Sequence, residues 1–322
     1  MKDSVTYVLS RVLELLITLL LVSLLTFVAF SIIPGDTASV MLGPNATPAQ
    51  VEALREKLGL NDPLYFRYLS WLKGAFTGNL GDSSSFNMPV SELIISRLPV
   101  TFGLSFLSLL LVLVISYPSA ILSARRPGKF WDQVFSIAGH VSFAIPPFVL
   151  SILSILLASK LFGYFGVGKY VSPSTNFAEY VYCLLLPAFC VAVPKIAMTF
   201  KFLRASILTE KNNDYVRTSK SRGLSDIKIM FRHIIPNSNV SVITALSIVL
   251  SDLLGGSLIV EQVFNLPGLG RLLLQAISRR DFPLLSGIVF YLAAMMVIVY
   301  FLTDLMMNLF DPRLRKNKGD NL

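Results

Sequence analysis

Six blocks of mostly apolar residues, each long enough to cross a bilayer, constrain this chain more than any other feature. They run over Val12–Ile33, Leu98–Leu122, Val134–Leu161, Val181–Phe200, Val240–Val260 and Leu284–Phe310. A spanning helix needs about 20 such residues, and in lipid each backbone amide must find its partner within the protein. The expected fold is therefore an all-α polytopic membrane protein with six transmembrane helices. Composition agrees, with 54% hydrophobic and 15% charged residues among 322, against about a quarter charged in soluble domains. A soluble enzyme, a secreted disulfide scaffold and a disordered protein are excluded. Glu14 inside the first block, and the lack of a small-residue cleavage site after it, argue against a removable signal peptide. Cys183 and Cys190 share one apolar block, about 10 Å apart along a helix, and are expected to be buried and unbridged.

Orientation follows from the placement of lysine and arginine. Segments 1–11, 123–132, 201–237 and 311–322 carry 17 basic residues, against 10 in 34–97, 160–180 and 261–283; Lys195 lies within a span. Both termini are thus expected on the cytoplasmic side. The net charge of +9 is accounted for mainly by topology, so nucleic acid is not an expected partner. Pro118, the pair Pro146-Pro147, and Pro187 with Pro194 fall within spans. They are expected to kink them, as suits a bundle lining a path.

Two segments between spans exceed simple connectors. The outer one reads as two short helices. Thr47-Pro48-Ala49-Gln50 supplies a capping box with proline at the first helical position; Val51, Leu54 and Leu58 share a face, and Gly59 stops the helix. Asp62-Pro63 opens the second, which ends near Gly74 and carries Tyr65, Tyr68, Leu69 and Leu72, a stripe read as packing against the membrane domain.

The inner segment 201–237 is more informative. It holds eight basic residues and then Asp214-Tyr215-Val216-Arg217-Thr218-Ser219-Lys220-Ser221-Arg222-Gly223-Leu224. Ser225 and Asp226 can cap a following helix through Ile227, Ile229, Met230 and Phe231. A helix, a glycine break and a second amphipathic helix fit a docking element for a soluble partner. A basic loop resting on anionic lipid would need neither the break nor the apolar face.

Catalytic and metal chemistry is not visible. Gly163-Tyr164-Phe165-Gly166-Val167-Gly168-Lys169 matches the first seven positions of a phosphate-binding loop, but Tyr170 cannot supply the small hydroxyl that holds magnesium. A turn at the outer surface is the better account. His140 and His233 are far apart in sequence with no ligand cluster beside them; His140 is expected to hydrogen-bond within the bundle. Among ionisable groups inside spans, Glu14 and Asp304 can reach the interface. Asp252 lies near the middle of the fifth span, before Gly255-Gly256. It either faces a path and meets a cationic group on a substrate, or pairs with a neighbouring helix; both readings stand at this point.

Asp214-Tyr215-Val216-Arg217-Thr218 and Arg222-Gly223-Leu224, with Arg232-His233 and Pro236-Asn237 downstream, resemble the cytoplasmic coupling loop of binding-protein-dependent ABC importer permeases. More narrowly, the chain is similar to the first (B-type) permease subunit of oligopeptide/dipeptide/nickel importers. Further matches are Ile33-Pro34-Gly35-Asp36, Leu58-Gly59-Leu60 with Asp62-Pro63, Gly78-Asn79-Leu80-Gly81, and Arg97-Leu98-Pro99 with Thr101. Glu261-Gln262-Val263-Phe264, Pro267-Gly268-Leu269-Gly270-Arg271 and Asp311-Pro312-Arg313 complete the ordered set. Where the family usually has alanines, this chain has Ser219 and Ser221.

The resemblance implies a type I ABC importer permease fold in the bacterial cytoplasmic (inner) membrane. It divides the chain into 1–97 (first span and extracytoplasmic segment), 98–311 (permease core with coupling loop 201–237) and 312–322 (short basic tail). It implies half of a translocation path for short peptides, with nickel or a metal chelate as the alternative cargo. Partners implied are a second permease subunit, two ATP-binding subunits, an extracytoplasmic substrate-binding protein and the lipid bilayer. Asp214, Tyr215, Arg222, Gly223, Leu224, His233 and Pro236 would couple to the ATPases; Asp252, Gly255 and Gly256 are candidate path residues. No catalytic residue, metal site or cofactor is implied in this chain. A secondary transporter working without ATP is the rival reading, but it leaves the inner segment without a purpose.

Overall fold

The computed structural model describes residues 2–32, 37–43, 45–57, 59–163 and 168–310. The motif Ile33-Pro34-Gly35-Asp36, Leu58, the middle of the phosphate-loop-like segment (164–167), Asp311-Pro312-Arg313 and the tail 312–322 lie outside the described residues. Regular structure among those described is helical, apart from an isolated antiparallel bridge between Asp82 and Pro89.

In chain order the helices are α1 (Lys2–Ile32), α2 (Thr37–Leu42), α3 (Pro48–Lys57), α4 (Leu64–Thr77), α5 (Val90–Arg125), α6 (Phe130–Ala144) and α7 (Pro147–Phe162). They continue with α8 (Phe177–Lys211), α9 (Asp214–Ser221), α10 (Asp226–Ile229), α11 (Ile235–Gly256), α12 (Leu258–Val263), α13 (Leu269–Ser278) and α14 (Phe282–Phe310). Candidate spans lie in α1, α5, α8, α11 running into α12, and α14. The block expected to form the third span is instead a helix pair, α6 and α7, bent by 105°. The proline pair is the cause: Ile145, before Pro146, is held extended, and Pro147 restarts the chain at the first position of α7. Counted as one crossing, the pair brings the candidate spans among the described residues to six. Pro118, Pro187 and Pro194 stay inside unbroken helices.

The chain gathers into two compact units. One comprises the residues up to Phe102 with Asn265–Ile298; the other comprises Gly103–Phe264 with the chain from Val299 onward. In the first unit the expected capping box forms, Thr47 N donating to Gln50 Oε1 (2.9 Å) and Gln50 N to Thr47 Oγ1 (3.4 Å). Helix α4 passes the expected stop at Gly74 and ends at Thr77, where Gly78 takes the left-handed conformation (φ +81°) and closes the last turn. Tyr68 packs on Phe27 (5.5 Å between centroids) and its hydroxyl meets Ser23 Oγ at 2.8 Å, although Tyr65 and Leu69 remain exposed. Asp281 is fully buried, yet it accepts hydrogen bonds from Ser83 Oγ and from the amides of Ser85 and Leu284 at 2.5, 2.9 and 3.2 Å. A buried carboxylate is tolerated on such terms.

The second unit is knitted by small and hydroxyl residues on α5. Ser105 Oγ donates to the Leu253 carbonyl (3.0 Å) and Ser108 Oγ to that of Ala188 (3.1 Å), tying α5 to α11 and α8. Gly103 lies so near α8 that a Cβ there would stand 1.7 Å from Tyr180 Oη. Cys183 and Cys190 are buried free thiols, as expected. His140 hydrogen-bonds to the Ser136 carbonyl of its own helix (2.6 Å) while remaining exposed.

Candidate functional site

The inner segment rests on a hydrophobic platform in the second unit. Ala120, Ala124, Phe200, Leu203, Ile207, Val216, Ile229, Met230, Ile234 and Val242 form one buried cluster, with Tyr215 and Leu224 packed against it. Ala120 and Ala124 are small enough for neighbouring elements to come close. Of the α9 side chains, only Val216 is buried, while Asp214 and Arg217 are 95% and 80% exposed and pair loosely at 3.7 Å. Arg222 and Gly223 are exposed as well. The platform thus fixes one side of α9 and leaves its charged side open.

The glycine break has a defined geometry. Gly223 adopts φ +77°; its amide donates to the Lys220 carbonyl (2.9 Å) and the Leu224 amide to that of Ser219 (3.3 Å). This is the Schellman closure, in which a left-handed residue lets its own amide and the next one cap the helix and turns the following apolar residue back onto it. Leu224 does so against the cluster. Beyond its chain neighbours, a Cβ on Gly223 would meet nothing within 4 Å among the described residues. Ser219 and Ser221 turn their hydroxyls back to the carbonyls of Tyr215 (2.8 Å) and Arg217 (3.1 Å), a bond that competes only mildly with helix.

The element after the break differs from expectation. Ser225 caps it through the Lys228 amide, but its α-helical part ends at Ile229. It then passes through a π-helical turn, Met230–Ile234, directly into α11. Pro236 accounts for this: it lacks an amide, and its ring crowds the carbonyl four residues back. The chain accommodates it with a wider turn closed by the Ile235 amide on the Met230 carbonyl. His233 lies half-buried in that turn and Pro236 is exposed at the start of α11. Ile229 and Met230 are buried, whereas Ile227 and Phe231 face an open apolar groove of about 540 Å³ with Tyr117, Pro118, Ile121 and Leu122.

Several contacts that root this segment were not read from the sequence. Arg204 on α8 grips Asp132 at the start of α6 with two bonds, Nε to Oδ1 at 2.7 Å and Nη2 to Oδ2 at 2.8 Å. Ser123 Oγ donates to the same carboxylate, and the Gly128 amide does so at 2.7 Å. Lys211 Nζ reaches the last carbonyls of α5, Ala124 and Arg125, both at 3.3 Å, a favourable place for a cation. Tyr215 Oη and Asn213 Nδ2 both donate to Glu210 Oε2, at 2.6 and 2.8 Å. Burial, followed by the bond to Glu210, pushes the Tyr215 hydroxyl above the usual phenol range. The lone acid among the bases of 123–132 was the available signal for Asp132.

Asp252 sits on α11, and Lys195 Nζ of α8 contacts its Oδ2 at 2.5 Å. The neighbouring-helix partner therefore exists. Asp252 is nonetheless 50% exposed and Lys195 21% exposed. Gly255 and Gly256 end α11, three and four residues beyond.

Residues 116–316 match the family described as binding-protein-dependent transport system inner membrane component, and residues 4–105 match the family described as the N-terminal part of the membrane component of binding-protein-dependent transport systems. The oligopeptide transport system permease protein AppB of Bacillus subtilis is 34% identical over 311 residues, covering 96% of this chain and 98% of that protein. The "Probable peptide ABC transporter permease protein y4tP" of Sinorhizobium fredii is 32% identical over 309 residues, covering 96% and 99%. Among solved structures, a chain of the inward-facing MetNI methionine ABC transporter is similar in fold. Its TM-score is 0.56 at 17% identity, over 68% of this chain and 96% of that one.

Proposed function

The chain belongs to the binding-protein-dependent transport system inner membrane components, and on that premise we propose that it forms half of the path of an ATP-driven importer of short peptides. The observation that carries the mechanism is the open charged face of α9, closed by Gly223 and mounted on a buried platform. The peptide cargo is supported by the relatives, which are named for peptide transport.

In this reading, ATP is hydrolysed by two separate subunits at the cytoplasmic face, and this chain is not itself an enzyme. Asp214, Tyr215, Arg222, Gly223 and Leu224 form the contact, with His233 and Pro236 at the joint that passes motion to α11. The platform makes α9 a lever: Val216, Ile229 and Ile234 bury together, so α9 cannot shift without moving the start of α11. A second permease subunit completes the path, in which Asp252, Gly255 and Gly256 take part. An extracytoplasmic binding protein delivers cargo to the outer mouth. Residues 34–97 are the extracytoplasmic segment, 98–311 the permease core, and both termini lie in the cytoplasm of a bacterial cell.

The test is uptake by proteoliposomes carrying the complete importer, with ATP inside and loaded binding protein outside. Accumulation of labelled tripeptides, without uptake of a nickel chelate, is expected; nickel uptake without peptide uptake would overturn the peptide reading.

A further inference from the structure

The Lys195–Asp252 contact holds two opposite charges deep within spans. Asp252 lies 17 residues from the start of α11 and Lys195 lies 16 from the end of α8, which places both about 25 Å from the inner-segment ends of their helices. A lone charge at such depth is costly, and intramembrane ionisable groups face a bundle interior or a watery cavity. Pairing relieves the cost within the chain. Complete burial would make the pair a fixed strut, but Asp252 is half exposed. Its immediate neighbours Leu253 and Ser251 are buried, so the carboxylate stands at the border of the packed face of α11. Pro194, directly before Lys195, removes one backbone hydrogen bond there.

Resting on the importer reading above, we propose that Lys195 and Asp252 form an exchangeable ion pair that reads the charge of a passing peptide. A peptide with free termini carries one ammonium and one carboxylate. As it passes, its carboxylate replaces Asp252 at Lys195 and its ammonium replaces Lys195 at Asp252. One intrachain pair becomes two intermolecular pairs, so the exchange ends with every charge matched. Cargo lacking one of these charges strands a partner, so the pair favours zwitterions and biases the path against an excess of either sign.

The experiment uses the complete importer in proteoliposomes and the tripeptides Ala-Ala-Ala, Ala-Lys-Ala and Ala-Glu-Ala on loaded binding protein. Each rate is divided by the wild-type rate for the same peptide, which cancels the binding protein's own preference. Asp252→Asn leaves Lys195 uncompensated and should disfavour Ala-Lys-Ala relative to Ala-Glu-Ala by about tenfold, the scale of one unit charge at short range in a partly hydrated site. Lys195→Met should shift the ratio by a similar factor the other way. Equal loss for all three peptides in both variants, restored by the swap Lys195→Asp with Asp252→Lys, overturns the proposal and makes the pair a strut or a subunit contact.

If the single variants fail to assemble, the uncharged double variant Lys195→Cys with Asp252→Asn is probed with an impermeant sulfonate thiol reagent. The native thiols, Cys183 and Cys190, are buried. Labelling that peptide suppresses supports a place in the path; an unreactive thiol overturns it. Absence of ATP-driven peptide uptake by the wild-type complex would remove the importer reading and this proposal with it, whereas unaltered charge preference with wild-type uptake intact removes this proposal alone.

Discussion

Substitution at Gly223 separates what the turn needs for itself from what a partner needs of it. The residue sits at φ +77°, and beyond its own chain neighbours no atom of the described residues lies within 4 Å of where a Cβ would stand. Within the chain, therefore, a side chain meets only the left-handed penalty, about 1–2 kcal/mol for alanine and less for asparagine or aspartate, which tolerate that region. The turn is anchored on both sides by Val216 and Leu224, and burying one such side chain is worth about 1.5–3 kcal/mol. The penalty for alanine thus leaves the turn largely formed, and on intrachain grounds asparagine should be milder than alanine. A partner pressed against the glycine reverses this order, because the larger side chain intrudes further. We expect Gly223→Asn and Gly223→Asp to lower peptide-stimulated ATP hydrolysis of the complete importer by at least about tenfold, equivalent to 1.4 kcal/mol. Gly223→Ala should lose less, and all three should insert normally, as measured by protease protection. Near-normal stimulation in Gly223→Asn beside a damaged Gly223→Ala would show that the glycine serves only its own backbone. Normal stimulation in Gly223→Asp would refute the docking assignment.

Other substitutions test the framework that holds the lever. Asp132→Ala strands Arg204 beside the Gly128 amide; breaking a buried pair costs about 3–5 kcal/mol, reduced here to about 2–3 because Arg204 is partly exposed. The expected result is a lower melting temperature of the purified complex, largely recovered in Asp132→Leu with Arg204→Met; a melting temperature unchanged in the single variant contradicts this. Tyr215→Phe removes one donor to Glu210, about 1 kcal/mol, and should raise the rate of proteolysis at the inner segment while leaving insertion intact; unchanged cleavage would make that bond dispensable. Gly103→Val drives a side chain into Tyr180 and should abolish assembly at native yield, which Tyr180→Ala in the same chain should partly restore.

Much of this structure was legible because the physics was local. The capping box at Thr47–Gln50 and the glycine closure at Gly223 depend on residues three to five apart, and both form as their spacing implies. Span existence was legible from length alone, but the geometry of the third was not. Pro146-Pro147 announces a break, whereas its 105° angle depends on packing that composition does not encode. The π-helical turn at Met230–Ile234 was missed because an amphipathic pattern reads alike whether the helix stops or is absorbed into the next. The pairs Arg204–Asp132 and Lys195–Asp252 join residues 72 and 57 apart. No periodicity connects them, and only folding shows that these charges compensate one another.

The most direct test of the central claim is solute uptake into vesicles with the chain purified alone and, in parallel, with its second permease, ATP-binding subunits and binding protein. Accumulation is expected only in the complete set and only with ATP on the side facing α9, with none for the chain alone. Concentrative uptake by the isolated chain, with no nucleotide present, would contradict it.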